Sequence, residues 1–153
     1  MNIRIYALIL LSTVLLIADQ LTKRYAIAHY QTETVSIAPF LAFSTQLNTG
    51  VAFSLFHSPN LWVFWGMSTL IGIIIAYFMY HAFVHCQRMG TLPWGSALVI
   101  TGAVGNIIDR LRYGGVIDFI MLHYQDYVWP IFNLADIFIC IGLLLILLKK
   151  EFA

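Results

Sequence analysis

Charge is what this chain of 153 residues has least of: 8 Lys and Arg and 7 Asp and Glu make 10% of its residues, against about 25% in soluble domains. The few charges form no run or stripe and sum to +1, so the basic footprint that nucleic-acid binding needs is missing and no nucleic-acid partner is expected. Cysteine is scarcer still. Cys86 and Cys140 fall in or beside separate apolar segments, which suits neither a disulfide framework nor a zinc site. No Ser–His–Asp set, glycine-rich phosphate loop or His-Glu-x-x-His motif can be placed. No metal and no cofactor is expected, and no internal repeat or low-complexity tract appears. What the chain has in excess is hydrophobic residues, 61% of the total, where a soluble domain carries about 45–50%. A soluble fold of this length buries only about 68–70% of its surface and would leave large apolar patches in water, so a membrane class is the natural reading.

Four apolar stretches reach the roughly 17–25 residues that a helix needs to cross a bilayer core. They cover about residues 3–22, 61–84, 92–108 and 130–148. The last starts at Pro130, acceptable at a helix N1 position, and ends before Lys149 and Lys150. The expected fold is a mainly α membrane protein, one integral domain over residues 1–153 with four transmembrane helices. The first stretch is a retained helix rather than a signal peptide, because its apolar run is too long and Leu16-Ile17-Ala18 is a poor cleavage site. Four spans put both termini on one side. Counting basic residues does not choose that side: Arg4, Arg88, Lys149 and Lys150 oppose Lys23, Arg24, Arg110 and Arg112. The loops at about 23–60 and 109–129 are too long for bare turns. Leu41–Leu47 and Val51–Phe56 read as short strands joined by Asn48-Thr49-Gly50, and the run Val116–Ile120 follows Gly114-Gly115. A small β-containing extracytoplasmic platform is expected.

Ionisable groups at membrane depth are costly, so their positions carry the most information. Asp19 and Lys23 stand four apart on the first helix, in the favourable order for an ion pair. An interfacial salt bridge that anchors the helix end is the favoured account of them, ahead of a site. Gly95, Gly102, Asn106 and Asp109 fall in one narrow stripe of the third helix, followed by Arg110. Helix packing with an interfacial Asp–Arg cap is the competing account. Asp136, expected in the second turn of the last span, has no basic residue before Lys149, and Asp118 sits inside an apolar run just ahead of it. Two carboxyls in a poorly hydrated site cannot both ionise easily, and such a pair can serve as general acid and general base on one water. Unrelated interfacial aspartates remain the alternative. His81 and His85, at i, i+4 beside Cys86, lack histidine partners on other spans and read as interfacial; Cys140 reads as packing.

Taken together, the segments Asp19-Gln20-Leu21-Thr22-Lys23, Asn48-Thr49-Gly50-Val51-Ala52-Phe53, Gly102–Arg110, Val116-Ile117-Asp118-Phe119 and Phe132-Asn133-Leu134-Ala135-Asp136 resemble, in order, the signature motifs of bacterial lipoprotein signal peptidase, or signal peptidase II. The resemblance covers the whole chain. It implies a four-span inner-membrane aspartic endopeptidase with cytoplasmic termini and its site near the outer surface; a monomer is expected, apart from the resemblance. It also implies cleavage of diacylglyceryl-modified prolipoproteins before the lipid-bearing cysteine, with membrane lipid as a second partner. The catalytic residues it implies are Asp118 and Asp136. The supporting ones are Asp19, Lys23, Asn48, Gly50, Asn106, Asp109, Arg110 and Asn133. Ala103 stands where many members carry a second glycine. On the residues alone, a small proton-coupled transporter or channel using intramembrane aspartates is the other reading.

Overall fold

The computed structural model describes residues 3–50 and 61–149. Helix α1 (Ile3–His29) contains neither glycine nor proline, and its 27 residues extend to about 40 Å at 1.5 Å per residue. It continues past the expected end near residue 22, which moves Asp19 and Lys23 from a helix end into its interior. Strands β1 (Val35–Ala38) and β2 (Leu41–Asn48) follow, then α2 (Leu61–Met89), α3 (Trp94–Tyr113), β3 (Val116–Tyr124), β4 (Tyr127–Val128) and α4 (Leu134–Lys149). The protein is therefore mainly helical, with one antiparallel sheet of strand order β1-β2-β3-β4. The expected strand at Leu41–Leu47 is present as β2, and the apolar run Val116–Ile120 forms the first part of β3. Val51–Phe56 lies outside the described residues.

Among the described residues two helices are long and apolar enough to cross a membrane alone, at Ile5–His29 and Ser68–Arg88. α4 is apolar but spans only 16 residues, about 24 Å. It begins at Leu134 rather than at Pro130 because Phe132 is held by the sheet. The Ile120 N–H donates to the Phe132 carbonyl at 2.8 Å and receives the Phe132 N–H on its own carbonyl at 3.1 Å. Four further residues of chain therefore belong to the platform, and Asp136 falls in the first turn of α4 instead of the second. α3 likewise runs five residues beyond its expected end and places Asp109 and Arg110 on a helix. Gly114 stops it in the left-handed region at φ 75°, its N–H on the Arg110 carbonyl, a conformation that costs glycine nothing.

The packing is inverted relative to a water-soluble domain. Ile9, Leu10, Leu21, Ile73, Phe83 and Leu147 are exposed, while Asp19, Lys23, Asp109, Arg110, Asp118 and Asn133 are buried. Outward apolar and inward polar side chains are what an apolar solvent selects. α3 and α4 approach closely at Gly102, where a Cβ would meet the Ala135 carbonyl oxygen. That contact brings the polar end of the α3 stripe against the start of α4.

Candidate active site

Asn133 caps α4. Its Oδ1 accepts the Asp136 N–H at 3.0 Å, and Asp136 Oδ2 accepts the Asn133 N–H at 3.2 Å, the reciprocal arrangement of a capping box. Asp136 is thus held by the helix start that it helps to build. The amide end of the same asparagine reaches the other aspartate: Asn133 Nδ2 donates to Asp118 Oδ1 at 2.6 Å.

Asp118 stands on β3, where the register pairs it with Gln46 and pairs Val116 with Asn48. Asn48 therefore lies diagonally across from Asp118 on the same face, and its Nδ2 donates to Asp118 Oδ2 at 2.9 Å. Burial pushes the Asp118 carboxyl up to about 6, and the charge of Asp136 adds to that. The amides of Asn48 and Asn133 and the charge of Lys23 oppose the rise.

Each asparagine is oriented by a group that can only donate. Asn48 Oδ1 takes the Gly50 N–H at 3.0 Å, Asn133 Oδ1 takes the Asp136 N–H, and Asn106 Oδ1 takes Lys23 Nζ at 2.9 Å. Their amide ends must then face the aspartates, and Asn106 Nδ2 donates to Asp136 Oδ1 at 2.9 Å. All four carboxyl oxygens of Asp118 and Asp136 receive an N–H. Asp118 is 4% exposed and Asp136 is half-buried.

Behind this pair lies a second one. Lys23 Nζ bridges Asp19 Oδ2 at 2.9 Å and Asp109 Oδ2 at 2.7 Å, all three side chains being 1% exposed. With Asn106 Oδ1, the ammonium has one acceptor for each of its three N–H bonds. Such depth overturns the interfacial salt bridge as an account of Asp19 and Lys23. The expected partnership of Asp109 with Arg110 is also corrected: successive residues on a helix point about 100° apart. Arg110 instead donates to the Gly50 carbonyl at 3.0 Å and the Asn106 carbonyl at 3.4 Å. Asp118, Asp136 and all eight supporting residues expected from the sequence therefore meet in one polar network, Gly50 through its backbone.

A family description, signal peptidase (SPase) II, matches residues 11–152. The chain belongs to the signal peptidase II family. It is 35% identical over 143 residues to a lipoprotein signal peptidase of Acinetobacter baumannii, covering 93% of this chain and 81% of that protein. It is 37% identical over 141 residues to one of Clostridium tetani, covering 89% and 88%. Two solved bacterial membrane enzymes share the fold. One has a TM-score of 0.73 at 29% identity over 97% of this chain and 91% of its own; the other has 0.69 at 28% over 95% and 93%.

One residue of this signal peptidase II site escaped the sequence reading. Gln20 Nε2 donates to Asp109 Oδ1 at 3.0 Å, Asp19 Oδ2 at 3.2 Å and the Gly105 carbonyl at 3.3 Å. The available signal was an uncharged amide inside an apolar helix, next to the buried aspartate. The weaker candidates lie elsewhere in the fold. His85 Nε2 pairs with Thr91 Oγ1 at 2.9 Å and Cys86 Sγ donates to the Thr91 carbonyl at 3.6 Å, tying α2 to the turn before α3. Cys140 is exposed on α4 instead of packed.

Proposed function

We propose that this protein is a lipoprotein signal peptidase whose catalytic pair is Asp118 and Asp136. The names of its relatives, lipoprotein signal peptidases, support removal of signal peptides from lipoproteins. The proposal extends this to a membrane aspartic endopeptidase that acts on diacylglyceryl-modified prolipoproteins and cuts before the lipidated cysteine. The observation that carries the assignment is Asn133 between the two aspartates: its Nδ2 donates to the Asp118 carboxyl, and its backbone N–H donates to the Asp136 carboxyl while its Oδ1 accepts the Asp136 N–H. One residue thus holds both carboxyls among oriented N–H donors.

In the reaction, one carboxylate takes a proton from water as the oxygen attacks the scissile carbonyl carbon. The protonated partner donates to the carbonyl oxygen. The tetrahedral intermediate collapses when the first carboxyl passes its proton to the departing amide nitrogen and the hydroxyl returns one to the second. Water is added across the C–N bond and the pair regains its single proton. A pair of this kind titrates as a unit.

The proposal includes a single integral domain of four spans, active as a monomer, in the bacterial inner membrane with both termini cytoplasmic. Support comes from the exposed apolar faces of α1, α2 and α4. The dyad would then sit near the outer surface, where a signal helix presents its end. Insertion of the diacylglyceryl chains beside the helices fixes the depth of the scissile bond and makes the encounter nearly intramolecular. A proton relay would need carboxyls strung through the bilayer, whereas Asp19, Asp109, Asp118 and Asp136 gather in one network.

The test is incubation of purified protein with a lipid-modified prolipoprotein and with its unmodified form. The modified precursor should be cut before the lipidated cysteine, and the unmodified one far more slowly. Equal rates on both would remove the lipid from the account.

A further inference from the structure

The buried pair Asp19 and Asp109 is joined to the proposed catalytic pair through the backbone. Asp19 Oδ1 accepts the N–H of Ala135 at 3.0 Å, the residue immediately before Asp136. Asp109 Oδ2 accepts the N–H of Ile117 at 3.3 Å, the residue immediately before Asp118. Each rear carboxylate therefore holds the backbone N–H of the residue that precedes one front aspartate. The rear carboxylates are themselves joined by two links: the Lys23 ammonium between Asp19 Oδ2 and Asp109 Oδ2, and the Gln20 carboxamide between Asp19 Oδ2 and Asp109 Oδ1.

From this juxtaposition we infer that Gln20 is a positioning residue for the cleavage reaction. With Lys23, it sets the separation of Asp118 and Asp136 by clamping the carboxylates that hold the backbone before each of them. The inference rests on the assignment of those two aspartates as the catalytic pair.

The geometry distinguishes the two links. Lys23 supplies charge to two carboxylates and its removal strands both. Gln20 supplies no charge and is half-buried. Its Nε2 has three oxygens within 3.3 Å, from two side chains and the Gly105 carbonyl, and it fixes the angle between α1 and α3 at the level of the clamp. The tight seat of Asp19 sharpens this: a Cβ on Gly105 would lie 2.6 Å from Asp19 Oδ2, so the carboxylate has little room to reorient. Without the amide, the clamp keeps its ion pairs and loses one of its two cross-links. The front pair then becomes looser in spacing while the fold stands.

A spacing role has a kinetic signature different from a structural one. Substrate is held by its lipid and signal helix, so KM is insensitive to a small change between the two carboxyls. Turnover is sensitive, since a misplacement of about 1 Å can cost about a hundredfold. The coupled ionisation of the pair also depends on spacing. The charged or titratable groups around it are Lys23 and Asp19 from α1, Asp109 and Arg110 from α3, Asp118 from β3 and Asp136 from α4, and Gln20→Met changes none of them.

The experiment compares wild type, Gln20→Met and Asp118→Asn, purified in the same detergent and matched by thermal unfolding, on a lipid-modified prolipoprotein peptide across pH. Gln20→Met should lower kcat by about ten- to a hundredfold, leave KM within about twofold, and change the interval between the two apparent ionisations of the kcat profile. Gln20→Glu, which adds a third carboxylate to the clamp, should be at least as impaired and should not restore the profile. Wild-type kcat and pH profile in Gln20→Met would overturn the inference, as would a rise in KM alone. Should Gln20→Met unfold early, Gln20→His, which retains an N–H donor, decides instead: it should recover kcat together with stability, and a stable variant with the wild-type ionisation interval but no kcat would contradict the inference. Asp118→Asn separates the two levels: full activity there removes the catalytic assignment, whereas an inactive Asp118→Asn beside an unaffected Gln20→Met removes only the role of Gln20.

Discussion

Asn133 donates its amide to Asp118 Oδ1 at 2.6 Å while its oxygen accepts the Asp136 N–H at 3.0 Å. One side chain thus caps the helix that carries Asp136 and holds the carboxyl of Asp118, and the two roles can be separated. Asn133→Ala removes both, at a cost of about 1 kcal/mol for the cap, and should abolish most turnover. Asn133→Ser retains a cap oxygen but cannot span both aspartates. It should recover most of the thermal stability with little of the activity, as parallel unfolding and cleavage measurements would show. Recovery of both would make Asn133 a helix cap and nothing more.

The rear ion pairs should dominate stability. Lys23→Met leaves Asp19 and Asp109 buried without their shared cation, which in comparable buried pairs costs about 3–5 kcal/mol. The triple change Lys23→Met, Asp19→Asn, Asp109→Asn removes all three charges and should recover a large part of that loss. Denaturation in detergent tests this: a triple variant no more stable than Lys23→Met would place the cost in packing rather than in stranded charge.

The pH dependence follows from Asp118, whose carboxyl is raised from 3.8 to about 6 by burial and by Asp136. A folded state that holds its proton up to a higher pH binds more protons than the unfolded chain between about 4 and 6. Stability attributable to this group is therefore greatest below about 4, declines as pH rises to about 6, and is level above. Asp118→Asn removes the titrating group and should flatten the decline between pH 4 and 6, whatever the loss of one acceptor costs at every pH. A variant that keeps the wild-type slope between pH 4 and 6 would contradict this.

Positioning of the Asn48 amide depends on the chain just beyond β2. Asn48→Ala removes the donor to Asp118 Oδ2, and Arg110→Gln shortens the reach to the Gly50 carbonyl. Both should lower kcat by about tenfold or more, in line with the loss of one oriented donor. Steady-state cleavage of the lipid-modified precursor measures this, and wild-type kcat in both variants would detach the loop from the site.

Much of this site was legible because apolar surroundings make each polar residue conspicuous. Asp19, Lys23, Asn106 and Asp109 announced themselves by standing in otherwise hydrophobic helices at helical spacing. Strand β2 was visible through its aromatic and aliphatic residues. The partners were not visible. Asp109 is adjacent to Arg110 in sequence, but the helical rotation between neighbours sends one to Lys23 and the other to Gly50. Proline at N1 is a local signal, whereas the bridge of Phe132 to Ile120 is a tertiary contact that keeps residues 130–133 out of α4. Gln20 was overlooked because an amide carries no charge and its three acceptors come from two helices.

The most direct measurement of the central claim is cleavage of a lipid-modified prolipoprotein by purified wild type, Asp118→Asn and Asp136→Asn, each verified as folded, with and without a metal chelator. Two carboxyls that carry out the proton transfers themselves predict cutting before the lipidated cysteine by wild type, no detectable cutting by either variant, and no response to chelator. Full activity in either variant, or activity lost to chelator and restored by zinc, would contradict the account.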